Sequence, residues 1–166
     1  MGFLETTFPL THRHAIPAGV DKTRAIEKLH DHVYVIDCGP YVVSHTQQPS
    51  PSWGSYDKPK GAKFATEKVD VYEVKNKYEN PIMGSDIKST YEFIDTADGI
   101  FIRVHSPMGV VMESFFTVQE KADGSLELVH ELQGRCNKAL AGIAKKDSDK
   151  NYDLLASIIV KNMVEK

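Results

Sequence analysis

DIKSTYEFIDTADGIFIRVHSPMGVVMESFFTVQEKADGSLELVHELQGRC, residues Asp86–Cys136, reads as four β-strands in succession. They are expected over Asp86–Ile94, Ile100–Ser106, Val110–Glu120 and Leu126–Cys136. Each alternates apolar and polar side chains, the pattern of a sheet with one buried face. The breaks are Asp95–Gly99, Pro107-Met108-Gly109 and Lys121–Ser125, and each carries the Asp-Gly or Pro-x-Gly chemistry that tight turns need.

The chain on either side extends this pattern. Phe8–Ile16 alternates Phe8, Leu10, His12, His14 and Ile16 against polar neighbours, which predicts a strand with two histidines on its apolar side. Val20–Leu29 has helical spacing, with Asp21 at its start, and Asp31 is placed to cap a second short helix ending before Gly39-Pro40. Val42–Thr46 is expected to be a strand. Gln47–Gly61, with Pro49, Pro51, Pro59 and Trp53, is a loop, either a lid over the sheet mouth or a packed surface loop. Phe64–Tyr78 reads as a long strand with a bulge near Val69–Val71. From Leu140 to Met163 the spacing is helical, with Asp147-Ser148-Asp149 either interrupting the helix or capping its second half.

One strand, two short helices, about six strands and a long C-terminal helix make an α+β helix-grip fold. A curved antiparallel sheet of about seven strands then grips the last helix and leaves a cavity between them, and a volume below roughly 300 Å3 would sharply weaken both ligand readings, enzyme and carrier. Alternation selects the side chains that face it: Tyr91, Phe93, Ile102, Met112, Ser114, Phe116, Leu128 and His130 from the four strands. Tyr72, Trp53, Leu155 and Ile159 complete the expected ligand wall. A turn centred on Ala122 sets Ser114 opposite His130 and Glu113 opposite Glu131. A turn centred on Met108 sets Phe101 opposite Phe115 and Arg103 opposite Glu113, all on the outer face.

A buried polar pair on an apolar wall must be hydrogen-bonded. Ser114 and His130 either satisfy each other in the core or face a ligand, with His130 as acid/base. His14 and His12 supply a second polar group. A serine hydrolase is disfavoured, because there is no Gly-x-Ser-x-Gly elbow and no inward acid to orient His130. His12-x-His14 has a spacing that can bind metal, but it needs His130 or His45 as a third ligand, and no metal is expected. His30 and His32 are read as capping residues at a helix junction, and His105 as solvated.

The bulk numbers bound the rest. The chain has 166 residues and a net charge of -3, which suits one domain over 1–166 and gives no case for nucleic acid or an anionic surface. Cys38 and Cys136, without a CxxC, are expected to be free thiols in a reducing compartment, which places the protein in the cytoplasm. No run approaches a membrane span. The Met1-Gly2-x-x-x-Thr6 start fits only the loose myristoylation pattern.

Phe8–Ile16, then Leu29-His30-Asp31-His32, then Asp98-Gly99-Ile100 with Arg103-Val104-His105-Ser106-Pro107-Met108-Gly109-Val110, resemble an uncharacterised family of small fungal proteins. That family is similar to the START and polyketide-cyclase-like superfamily. The resemblance implies a START-like ligand-binding domain, monomeric or homodimeric, with a cavity for an apolar molecule. It further implies a cofactor-free cyclase, isomerase or dehydratase of fungal secondary metabolism, acting on a polyketide- or terpenoid-like substrate, or else a non-catalytic carrier. On this reading His130 is the acid/base, with Ser114 and Tyr91 as its hydrogen-bond partners, and His130→Ala should lower turnover more than stability. The Asp147–Lys150 stretch departs from the family pattern.

Overall fold

The computed structural model describes residues 2–80 and 82–165, so Met1 of the myristoylation pattern lies outside the described residues. The elements are β1 (Glu5–Ala15), α1 (Lys22–His30), α2 (His32–Asp37), β2 (Val42–Gln48), β3 (Asp70–Asn80), β4 (Gly84–Thr96), β5 (Gly99–Ser106), β6 (Val110–Glu120), β7 (Leu126–Asn137) and α3 (Ala141–Asn162). The strands form one antiparallel seven-stranded sheet in the order β1-β7-β6-β5-β4-β3-β2. Helix α3 packs across the concave face against β1 and β7. This is the helix-grip arrangement.

Asp residues set the helix boundaries. Asp21 caps α1 by accepting from the Arg24 amide at 2.8 Å. Asp31 ends α1 through its own amide and starts α2 through its carboxylate, which accepts from the Tyr34 amide at 3.1 Å. His30 and His32 therefore do no capping. His30 bonds the Thr96 and Gly99 carbonyls, and His32 lies between Asp70 and Asp95 at 3.0 and 2.8 Å. His105 pairs with Glu92 rather than with water alone.

Three further expectations change. Strand β3 starts at Asp70. Phe64 makes only an isolated bridge to Thr96, and the register irregularities fall at Val42/Ser44 and Lys77/Asn80. Residues 49–69 do not reach the cavity mouth. Trp53, Tyr56 and Phe64 instead cover the convex face, packing on Val69, Val71, Ile94, Phe101 and Phe115. Arg103 does face outward opposite Glu113. It is nonetheless buried beneath this loop, donating to the Tyr56 hydroxyl and the Asp57 carbonyl at 2.9 Å and to Glu113 at 3.2 Å.

The β6–β7 hairpin is displaced by two residues from the expected pairing. Phe116 lies opposite His130, Ser114 opposite Leu132, and Glu113 opposite Gln133. The Asp123 carboxylate accepts from the Ser125 amide and hydroxyl, and Gly124 takes φ 83°, so the turn centres on Asp123. A two-residue slip preserves the face of every side chain. Ser114 and His130 consequently remain inward, now as diagonal neighbours.

Gly99 is required by close approach. A Cβ there would lie 1.9 Å from the Phe116 carbonyl oxygen on the neighbouring strand. We expect Gly99→Ala to destabilise the protein by about 3 kcal/mol, the upper range for overpacking, measured by urea denaturation. A loss under about 1 kcal/mol would show that β5 and β6 are not held at this separation.

Candidate functional site

Between the concave face and α3 lies a cavity of about 130 Å3, open toward the α2–β2 connection and the β3–β4 hairpin. It is under half of the roughly 300 Å3 threshold, which weakens both ligand readings and favours a more filled core. Tyr78, Tyr91, Phe93 and Tyr152 all line it, as do Val35 and Ile36 of α2, and these side chains occupy the concave space. Of the expected ligand wall, Tyr91, Phe93, Ile102, Met112 and Leu155 line the cavity. Phe116, Leu128, Tyr72 and Ile159 are core residues elsewhere on the same side, and Trp53 lies on the opposite face.

His130, Ser114, His12 and His14 do not line the cavity. The first three belong to a buried chain that ends at an acid from α3. Ser114 Oγ lies 3.0 Å from His130 Nε2, His130 Nδ1 lies 3.0 Å from His12 Nδ1, and His12 Nε2 lies 2.7 Å from Asp149 Oδ1. The two imidazoles are coplanar within 6° with centroids 5.3 Å apart, so they meet edge to edge. The directions follow from the outer end. The Asp149 carboxylate can only accept, so His12 Nε2–H donates to it. With His12 neutral, its Nδ1 accepts from His130 Nδ1–H, and His130 Nε2 accepts from the Ser114 hydroxyl. Every polar atom of both rings is thereby satisfied.

His130 is fully buried, between the rings of Phe116 at 4.4 Å and Tyr152 at 5.1 Å. Burial, and then the neighbouring His12 and His14, depress its pKa to about 3. It stays neutral at physiological pH and lies behind Tyr152 as seen from the cavity. His14 turns away to Asp153 at 2.7 Å, so it does not join His12 and His130. Among the described residues no group of three or more His, Cys, Asp or Glu side chains is placed to hold a metal.

The polar chemistry of the cavity comes from the stretch that in sequence resembles a helix break. Helix α3 runs unbroken through Asp147-Ser148-Asp149 because each side chain has its own partner. Asp147 faces Asn80, Ser148 packs its hydroxyl on Met112 Sδ, and Asp149 meets His12. Asp147 lines the cavity, and its Oδ2 accepts from Asn80 at 2.8 Å, Asn151 at 3.3 Å and the Tyr78 hydroxyl at 3.4 Å. Burial raises its pKa above the usual carboxylate value, although the Tyr78 bond and Lys150 act the other way. Burial also pushes Tyr78 up to about 12 and raises Tyr91 and Tyr152, so these phenols remain protonated donors. Ala144, Ser148, Tyr152, Leu155 and Ile159 recur at three- and four-residue spacing, the signal in the sequence for one continuous face.

The model of the family described as "Domain of unknown function (DUF7053)" matches residues 5–165. The chain belongs to that family. No curated protein matches it. Among solved structures, this DUF7053 chain is similar to TTHA0849 from Thermus thermophilus, with TM-score 0.59 and 13% identity over 96% of this chain and 97% of that one. It is also similar to the Zhui aromatase/cyclase from Streptomyces sp. R1128, with TM-score 0.59 and 12% identity over 96% and 93% of the two chains. A third is Ara h 8.0201, with TM-score 0.56 and 11% identity over 97% and 100%. At these identities the likeness is one of fold, a curved sheet gripping a helix. No described helix of the DUF7053 chain is long and apolar enough to cross a membrane.

Proposed function

We propose that this protein is a cofactor-independent enzyme that holds a small, largely apolar molecule between the concave sheet and α3 and moves a proton on it. The reaction is of the cyclase, isomerase or dehydratase type, within secondary metabolism. The observation that carries the reading is Asp147: a carboxyl on the cavity wall, fixed by Asn80, Asn151 and Tyr78, with its pKa raised by burial. A raised carboxyl pKa suits an acid/base group. Tyr78, Tyr91 and Tyr152 are phenolic donors on the same cavity, placed to fix a carbonyl or hydroxyl of the guest. Aromatase/cyclases among the structural neighbours support this class of chemistry. His130 passes from acid/base to a supporting group behind Tyr152.

The test is native mass spectrometry of protein made in its own host, followed by incubation of any co-purified molecule. Ser89 lines the cavity and is buried, so Ser89→Phe fills the space. The parent should carry a small molecule that Ser89→Phe lacks at similar thermal stability. Asp147→Asn should lower its conversion by a factor of about 100 or more, the usual worth of a general acid/base. A parent that binds the molecule and returns it unchanged would make the protein a carrier.

A further inference from the structure

The cavity has an electrostatic bias that narrows its guest, on the reading that it is a ligand site. Among the described residues that line it none is Lys, Arg or His, and Asp147 is the only carboxylic acid. The cation that acts on Asp147 is Lys150, which is exposed on the next turn of α3. All three donors to Asp147 converge on Oδ2, and among the described residues no hydrogen bond is made to Oδ1. The same cavity is lined by aromatic side chains. Tyr41 stacks on Tyr78 with centroids 4.6 Å apart, Tyr91 and Phe93 lie 6.2 Å apart, and Tyr152 covers the α3 side.

A carboxyl in an aromatic-lined cavity, with no basic side chain among its described lining residues, matches the recognition chemistry of an organic cation. We propose that the guest is a small amine with an apolar body, its ammonium donating to Asp147 Oδ1 and lying against the tyrosine faces. A neutral guest without a donor would leave Oδ1 unpartnered when the mouth is covered, and a hydroxyl would offer it only a neutral hydrogen bond, weaker than the charge-assisted bond of an ammonium. An acid or a phosphate ester would meet Asp147 as a like charge with no cation to offset it.

Three probes of one shape separate these cases: phenethylamine, phenethyl alcohol and hydrocinnamate, each titrated into the parent, Asp147→Asn and Ser89→Phe, with amide NMR shifts as the readout. The parent should bind the amine about tenfold or more tightly than the alcohol, with hydrocinnamate the weakest. Asp147→Asn should erase the amine's advantage while leaving the alcohol's affinity within about twofold. Ser89→Phe should lose both. If the alcohol or the acid binds the parent as tightly as the amine does, or if Asp147→Asn keeps the preference, the amine inference fails while the cavity reading stands. If the probes bind Ser89→Phe as well as the parent, or none binds the parent, the cavity reading fails with it.

Discussion

His130→Ala is expected to destabilise the protein by about 4 kcal/mol, in the range for truncating a buried aromatic side chain. For a chain of this size that corresponds to a fall in Tm of about 10 °C. Two losses combine. The ring leaves a void between Phe116 and Tyr152, which lie 4.4 and 5.1 Å from its centroid. Its removal also strips a partner from the Ser114 hydroxyl, 1% exposed, and from His12 Nδ1, and an unpaired buried polar group costs about 1–3 kcal/mol. On sequence alone the larger effect falls on turnover, because His130 is placed as the acid/base. The position of His130 in the fold leads us to expect the reverse. His130 does not line the cavity, so turnover measured well below the mutant's Tm should fall less than it does for Asp147→Asn. Urea denaturation and turnover on the same preparations decide it. A mutant within about 1 kcal/mol of the parent whose turnover is abolished would return His130 to the reacting centre.

The two pairings of the β5–β6–β7 meander show what the sequence conveys and where it stops. Ser106↔Val110 follows directly from Pro107-Met108-Gly109, since a short turn with Gly109 at φ 71° leaves one register. Lys121–Ser125 is longer and admits several registers. The Asp123 contact to Ser125 selects among them, and that local hydrogen bond has no periodic signature. The inward facing of Ser114 and His130 survives the two-residue shift because it depends on parity alone. The sheet and the facing of these two residues are therefore legible in the sequence, while their partners are not.

The larger gap concerns α3. Reading Asp147-Ser148-Asp149 as punctuation hides the separate polar contacts that Asp147 and Asp149 make. Three consecutive helical positions point about 100° apart, so they meet three environments: the cavity end at Asn80, the Met112 wall and the His12 edge. Polar residues in mid-helix are usually solvated or helix-weakening, and nothing local distinguishes one whose partner is distant in sequence. Trp53 illustrates the converse. Its loop precedes β3, and sequence order leaves open whether it crosses the concave or the convex face. The outward apolar residues Phe101 and Phe115, paired in β5 and β6, are the available sign that the convex face is also covered.

The neutral state of His130 has a consequence for acid stability. In the unfolded chain a histidine titrates near 6.5, whereas in the fold His130 takes a proton only near pH 3, because burial and its histidine neighbours disfavour the charge. Below pH 6.5 the unfolded state therefore binds more protons than the native state, and stability falls as pH falls. The contribution is intact above about pH 6.5 and is lost progressively down to about pH 3. The slope approaches about 1.4 kcal/mol per pH unit, and the total is about 5 kcal/mol. Asp147 acts in the opposite sense, since a raised carboxyl pKa stabilises the fold at low pH and loses that contribution as pH rises through the folded value. It is common to parent and mutant and cancels in their difference. His130→Gln retains a polar side chain able to reach Ser114 and His12 but does not titrate. The parent should be the more stable protein at about pH 7.5, and its advantage in urea denaturation should shrink steadily between about pH 6.5 and pH 4. An advantage that stays constant over that window would mean that the imidazole is charged in the fold. His130 Nδ1–H would still donate to His12, but the Ser114 contact would run the other way, from His130 Nε2–H to the Ser114 hydroxyl oxygen.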